Sequence, residues 1–293
     1  MQYRTVKPFI KWAGGKSQLI GEIRKKYPQE INRYCEPFVG GGAVLLDILV
    51  NKNPSSILIN DINKELINTY VQIQQNVENV IKILQKYQEK YWNSSDQERK
   101  NIYLSFRTKY NQLIIDGGDQ VERASIFIFL NKTCFNGLYR VNKKGLFNVP
   151  IGSYKKPPIC DSANLRTINK LMQKVEIICG DYSQCFDYIN KNTFVYIDPP
   201  YRPLNRTASF TAYNENIFDD NKQITLGNFV HKISAKGAKI VISNSDPKNT
   251  NSGDNFFDNI YDPFIIKRVL AKRMINCNGN SRGNINELII SNY

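Results

Sequence analysis

The sequence is poor in acidic residues, in histidine and in long apolar runs. No uninterrupted apolar stretch approaches the roughly 18 residues that begin to span a bilayer, so no membrane span is expected. Met1 to Trp12 lacks an apolar segment followed by a small-residue cleavage site, so no secretory signal is expected. The six cysteines, Cys35, Cys134, Cys160, Cys179, Cys185 and Cys277, are scattered and form no C-x-x-C pair. That spacing offers no zinc cage, so no metal site is expected, and it fits free thiols in a reducing cytoplasm. The single histidine, His231, lies in a lysine-flanked helical stretch and reads as structural rather than as a general base. With 41% hydrophobic and 23% charged residues over 293 positions, wholesale disorder is excluded, and there is material for one large or two modest packed domains.

What the chain has in excess is base. Lys and Arg number 40 against 26 Asp and Glu, a net charge of +14. Such a balance suits a polyanion, because neutralising phosphates releases their condensed counterions. The distribution sharpens this. Asn131 to Cys160 contains no acid but carries Lys132, Arg140, Lys143, Lys144, Lys155 and Lys156, interleaved with Phe135, Tyr139, Phe147 and Tyr154. Pro263 to Asn286 is also acid-free and carries Lys267, Arg268, Lys272, Arg273 and Arg282. A charge run is usually a solvated face; basic residues interleaved with aromatics read better as a nucleic-acid surface.

Apolar runs at Tyr34–Val39, Ser56–Asn60, Val175–Cys179, Thr193–Ile197, Ala238–Ser243 and Glu287–Ser291 predict strands, and Ala43–Val50 predicts a helix. Strands alternating with helices point to a largely parallel α/β sheet. The segment from Asn63 to about Arg123 is polar and helical in period, with Ile73, Val77, Val80, Ile81 and Leu84 at helix spacing. Asn131 to Pro158, rich in turn formers, reads as hairpin and loop. These do not fit the alternation, so residues 63–165 are expected to form an inserted domain, and 1–62 with 166–293 the α/β domain.

Two strings carry chemistry. Phe38-Val39-Gly40-Gly41-Gly42 follows a predicted strand and opens a helix, where glycine lets the backbone approach a ligand. Asp61 closes the next strand, where a carboxylate can accept ribose hydroxyls, and together they favour a nucleoside cofactor. The turn is not G-x-G-x-x-G, and Gly15-Lys16-Ser17 has Ile10 where a phosphate-binding loop needs glycine. The second string, Asp198-Pro199-Pro200-Tyr201, ends the buried-strand pattern of Phe194–Ile197. Asp198 and the Pro199 carbonyl can accept both hydrogens of an exocyclic amine, and Tyr201 offers a face to a planar base. Accepting those hydrogens raises electron density on the nitrogen, which is what methylating an amino group requires.

In this order, these residues resemble the α-group DNA N6-adenine methyltransferases over nearly the whole chain. Lys7-Pro8-Phe9-Ile10-Lys11-Trp12-Ala13-Gly14-Gly15-Lys16 is similar to the family's N-terminal cofactor motif, Glu36 to Gly42 to its glycine motif, and Asp198 to Tyr201 to its catalytic motif. Phe135-Asn136-Gly137-Leu138-Tyr139-Arg140, continuing to Phe147-Asn148-Val149-Pro150, resembles the recognition hairpin of the Dam and Dpn-type (D12 class) branch, which methylates adenine in GATC. The resemblance implies a Rossmann-like methyltransferase sheet using S-adenosylmethionine, with an inserted helical and hairpin DNA-recognition domain acting on double-stranded DNA. It implies that Trp12, Gly14, Lys16, Phe38, Gly40, Gly42, Asp61, Asp181 and Asp198 serve the cofactor, with Lys16 pairing its carboxylate. The target adenine would be flipped out of the duplex, stacked on Tyr201, and methylated by direct transfer without a covalent enzyme intermediate. Arg140 would read guanine, Asn136 and Tyr139 would fill or read the duplex, and Asn142, Lys143, Lys144, Tyr154, Lys155 and Lys156 would complete the DNA contacts, the lysines on phosphates. Arg202, Arg206, Phe210 and Tyr213 form a loop expected to order on DNA. A restriction endonuclease acting on the same site would be the partner in a restriction–modification pair. Other readings are methylation of cytosine N4 or of RNA adenine, and an inactive DNA-binding module on the same fold.

Overall fold

The computed structural model describes residues 6–202, 218–272 and 284–293. Seven strands form a mixed, mostly parallel sheet: β1 (Arg33–Glu36), β2 (Ser56–Asp61), β3 (Val175–Cys179), β4 (Thr193–Ile197), β5 (Lys239–Ser245), β6 (Ile265–Lys272) and β7 (Asn284–Ser291), in the order β3-β2-β1-β4-β5-β7-β6. Strand β1 pairs in parallel with β2 and with β4, and β4 in parallel with β5. Strand β7 is antiparallel to both β5 and β6. The central strand β4 is almost wholly apolar because it is covered on both faces, and all five of its residues are buried. The order reverses at β1, whose successors lie on opposite sides. In an open α/β sheet the ligand crevice forms at that switch, beyond the carboxyl ends of the strands. Among the described residues no helix is long and apolar enough to cross a membrane.

The chain divides into two compact units. The first comprises residues 1–15, 40–51 and 61–180. It therefore takes in the helical and hairpin segment expected over 63–165 and more besides. The physical reason is local packing. Phe9 meets Tyr70 edge-on at 4.9 Å, and Asn131 brackets Lys11 by accepting from its N–H at 2.8 Å and donating to its carbonyl at 2.8 Å. The unit's helices are α2 (Ala43–Asn51), α3 (Lys64–Gln75), α4 (Val77–Trp92), α5 (Asp96–Asp116), α6 (Gln120–Thr133) and α7 (Ser162–Met172). The helical periodicity read through Ile73 to Leu84 is split at Asn76, where α3 ends and α4 begins. Local chemistry sets several ends: Asn63 caps α3, a Ser95/Glu98 capping box opens α5, and Gly117 at φ +65° closes it.

The second unit comprises residues 16–39, 52–60 and 181–293. It holds six of the strands, α1 (Ile20–Arg24), α8 (Asp220–Ala235) and α9 (Phe256–Ile260). Strand β6, absent from the sequence expectations, occupies the basic stretch beginning at Pro263. Two charges there are answered by acids of the fold: Lys267 pairs with Glu22 at the surface at 3.0 Å, and Arg268 with Asp246 and Asp258, each at 2.9 Å. These acids lie elsewhere in the sequence, so an acid-free run in the chain is not acid-free in space. His231 sits in α8 with Nε2 at 2.8 Å from the Ile260 carbonyl and its ring against Phe264.

Candidate active site

The first unit carries the glycine turn. Gly40 and Gly42 adopt φ of +48° and +71°, a region costly for residues with a Cβ. A Cβ on Gly40 would stand 2.9 Å from Trp12 Cδ1, and one on Gly42 2.4 Å from the Tyr70 hydroxyl. That hydroxyl donates to the Gly40 carbonyl at 2.9 Å, so the turn is clamped on one side by a phenol and on the other by an indole. Asp61 ties the turn to β2: Oδ2 accepts from Gly40 N–H at 3.0 Å and Oδ1 from Asn63 N–H at 2.9 Å. Burial pushes the Asp61 carboxyl above its ordinary value, against the lowering effect of those backbone donors. The Ile62 N–H is a third backbone donor, so the carboxylate keeps one further acceptor site for a hydroxyl. Gly14 lies at φ +77° in the turn closed by Gly15 N–H on the Trp12 carbonyl at 3.1 Å.

The hairpin belongs to the same unit. It is held by isolated bridges, Cys134 to Ile151 and Val141 to Phe147, and by α5, whose Asn111 both donates to and accepts from the Phe147 backbone. Helix α6 runs through Thr133, so the hairpin starts three residues later than Asn131. Arg140 is exposed, and Asn148 grips it through Nε at 2.8 Å and through one Nη at 3.2 Å. Asn142 accepts from the Lys144 and Leu146 N–H groups, shaping the tip that presents Lys143 and Lys144. Asn136 is exposed at φ +55°, and Lys155 and Lys156 are exposed as well. Two aromatics serve the interior. Tyr139 stacks on Trp12 at 5.7 Å and packs against Phe127 and Phe147, with burial pushing its phenol up to about 12. Tyr154 lies beneath the Lys11 ammonium, which also donates to its hydroxyl.

The second unit carries the tetrapeptide. Strand β4 ends at Ile197, so Asp198 leaves the sheet at the switch between β1 and β4. Lys16, only 4% exposed, places its ammonium 2.7 Å from Asp198 Oδ1 and donates to the Tyr201 hydroxyl at 2.9 Å. Ser243 of β5 donates to the same Asp198 oxygen at 3.1 Å and is itself 2.7 Å from the Tyr196 hydroxyl. Gln223 of α8 donates to the Pro200 carbonyl at 2.9 Å, and Tyr201 donates to Glu287 of β7 at 2.7 Å. Burial raises the Asp198 carboxyl above its ordinary value, opposed by Lys16 and Ser243. Pro199 and Pro200 contribute no N–H, so this corner presents acceptors.

Other predicted residues of this unit are placed separately. Phe38 packs on Tyr182 at 5.3 Å and meets Phe218 edge-on at 6.1 Å. Asp181 is exposed and caps the turn of 3-10 helix at Tyr182–Cys185 by accepting from Ser183 N–H at 2.9 Å. Arg202 is pinned by Asp220 at 2.6 Å and Asp254 at 2.7 Å; Arg206, Phe210 and Tyr213 lie outside the described residues. Sequence reasoning missed Ser243, Gln223 and Glu287. The polar run Ser243-Asn244-Ser245-Asp246 closing an apolar strand was a usable signal for the first; the other two had none.

Comparison with known proteins fits this geometry. The family model described as D12 class N6 adenine-specific DNA methyltransferase matches residues 12–275. The type II methyltransferase M.MjaIII of Methanocaldococcus jannaschii is 45% identical, covering 98% of this chain and 99% of its own. A type II methyltransferase of Lactococcus lactis subsp. cremoris is 35% identical over 99% of this chain and 96% of its own. A DNA adenine methylase of Vibrio cholerae is 36% identical over 96% of this chain and 94% of its own. The chain therefore belongs to the D12 class of N6 adenine-specific DNA methyltransferases.

Proposed function

We propose that this adenine methyltransferase acts on GATC in duplex DNA, flips the target adenine out of the helix, and uses S-adenosylmethionine. The observation that carries the reading is the buried acceptor corner at the end of β4, where Asp198 is held by Lys16 and Ser243 and Tyr201 by Lys16 and Glu287.

The residues present fit the cofactor. Gly40 and Gly42 hold a bare-backbone turn whose packing on Trp12 and Tyr70 leaves no room for a Cβ, and the Asp61 carboxylate beside it can accept a ribose hydroxyl. Lys16 suits a carboxylate, and Trp12, Gly14 and Phe38 complete the set that the family motifs imply. Asp181, already capping a short helix, would reach the cofactor's adenine with its other oxygen. When bound, S-adenosylmethionine supplies a methyl carbon on a positively charged sulfur, open to a nitrogen lone pair. The chain does the rest. Asp198 and the Pro199 carbonyl accept the hydrogens of N6 and orient its lone pair, while Tyr201 presents its face to the base. A carboxyl raised by burial is suited to take the proton that N6 releases.

On the DNA, the grip of Asn148 leaves the end-on pair of Arg140 Nη donors for guanine O6 and N7. Lys143, Lys144, Lys155 and Lys156 hold phosphates, Asn136 and Asn142 face the duplex from the hairpin, and Tyr139 and Tyr154 act as supports beneath it. The type II names of two relatives favour a companion nuclease on the same site, which would make this chain the protecting half of a restriction–modification pair. Mapping methylated bases in DNA from cells expressing the chain tests the reading. N6-methyladenine confined to GATC is expected. Methylation of other adenine contexts would remove the sequence assignment, and N4-methylcytosine would remove the chemistry.

A further inference from the structure

The tetrapeptide is gripped by side chains from strands and helices outside it, and the grips differ. The Asp198 carboxylate and the Pro200 carbonyl are held close to the backbone, by Ser243 and Gln223. Tyr201 projects a ring, and a ring turns about two side-chain torsions unless something holds its far end. That end is the phenol oxygen. It accepts from Lys16 at 2.9 Å and donates to Glu287 Oε2 at 2.7 Å.

Glu287 is well placed to hold it. Its backbone lies in β7, in register with Ser245 of β5 on one side and Val269 of β6 on the other. Neighbours on both sides of the sheet fix its position, and the residue is 6% exposed. A hydrogen bond from a phenol to a carboxylate is charge-assisted, shorter and roughly twice as strong as a neutral one. Burial raises the Glu287 carboxyl above its ordinary value and the phenol bond opposes that rise, so Tyr201 supports the ionised form that grips it. A buried acid within an antiparallel strand is otherwise an expense for the fold.

We infer that Glu287 is the positioning residue for Tyr201: it sets the plane of the ring against which the extruded base stacks, and acts on the reaction only through the phenol. This rests on the reading of Tyr201 as the base's stacking face.

The test uses the full chain with duplex DNA carrying either adenine or the fluorescent analogue 2-aminopurine at the target position. Glu287→Ala should lower kcat by about 10- to 100-fold, the span expected for a lost charge-assisted hydrogen bond, with cofactor affinity unchanged. Glu287→Gln should recover most of that loss, because its amide oxygen still accepts the phenol hydrogen. Tyr201→Phe should reproduce the loss, and Tyr201→Phe with Glu287→Ala should be no worse than either alone. The stacked, quenched fraction of 2-aminopurine should fall in step with kcat. Turnover of Glu287→Ala within twofold of the parent, no rescue by Gln, or losses that multiply in the double variant would overturn the inference. If Glu287→Ala melts too low to assay, Tyr201→Phe cuts the same bond without emptying the β7 position, and an unchanged quenched fraction in it overturns the inference. A parent chain that does not methylate adenine, or a Tyr201→Ala variant that keeps the quench, would instead refute the stacking role, and the inference with it.

Discussion

Lys16 and Asp198 are in contact at 2.7 Å, and the lysine belongs to the N-terminal motif while the aspartate closes β4. The ammonium lies among two carboxylates, since Glu287 reaches the same cluster through Tyr201. Lys16→Ala should leave Asp198 and Glu287 with uncompensated charge. Removing one partner of a buried pair costs about 3–5 kcal/mol. Burial has raised both acids, so their protonated forms suit the fold, and stability tied to them is full below their unfolded values and lost as pH rises through the folded ones. The penalty of Lys16→Ala should thus be largest at neutral pH and shrink on acidification. Denaturant unfolding at several pH values checks this; a penalty independent of pH would contradict it.

Asp198→Ala should abolish methyl transfer while cofactor binding stays measurable by calorimetry. In the parent, transfer requires an Asp198 free to accept, so kcat should rise with pH along a limb set above the ordinary aspartate value of 3.8. A limb at or below that value, or near-normal turnover of the variant, would take Asp198 out of the reaction.

Gly42→Ala should be worse than Gly40→Ala. Both force a side chain into the left-handed region, a strain of about 1–3 kcal/mol. The new methyl at 42 also drives into the Tyr70 hydroxyl that holds Gly40, whereas at 40 it meets the edge of Trp12. Thermal unfolding together with cofactor titration measures both effects; equal losses at the two positions would show that the clamp does not matter.

Arg140→Ala should relax choice of sequence by about 1–3 kcal/mol while leaving turnover on the best site largely intact. Asn148→Ala should move in the same direction by less, because it only loosens the guanidinium. Methylation rates on single-base variants of GATC report this, and an unaltered preference profile would end the base-reading role of Arg140.

Some of this was legible in the sequence because it is written in contiguous strings. The glycine turn and the Asp198–Tyr201 corner each follow an apolar run, so type, order and strand end could be read together, and Asp61 came with them. What was hidden depends on residues far apart meeting. Strand β6 sets the adjacent basic pair Lys267 and Arg268 inside an apolar run at a sheet edge, and their charges are answered by Glu22, Asp246 and Asp258. Tyr139 sits in a basic hairpin that looks like a surface, yet its ring is absorbed by Trp12, Phe127 and Phe147. Glu287 gives no sign in its own neighbourhood of the phenol it holds.

Trp12 touches both the glycine turn and Tyr139 of the hairpin. Anyone grafting a foreign hairpin onto this scaffold therefore inherits a constraint from the other end of the same indole. A graft without an aromatic at 139 removes the shim beneath Trp12 and loosens the glycine turn with it.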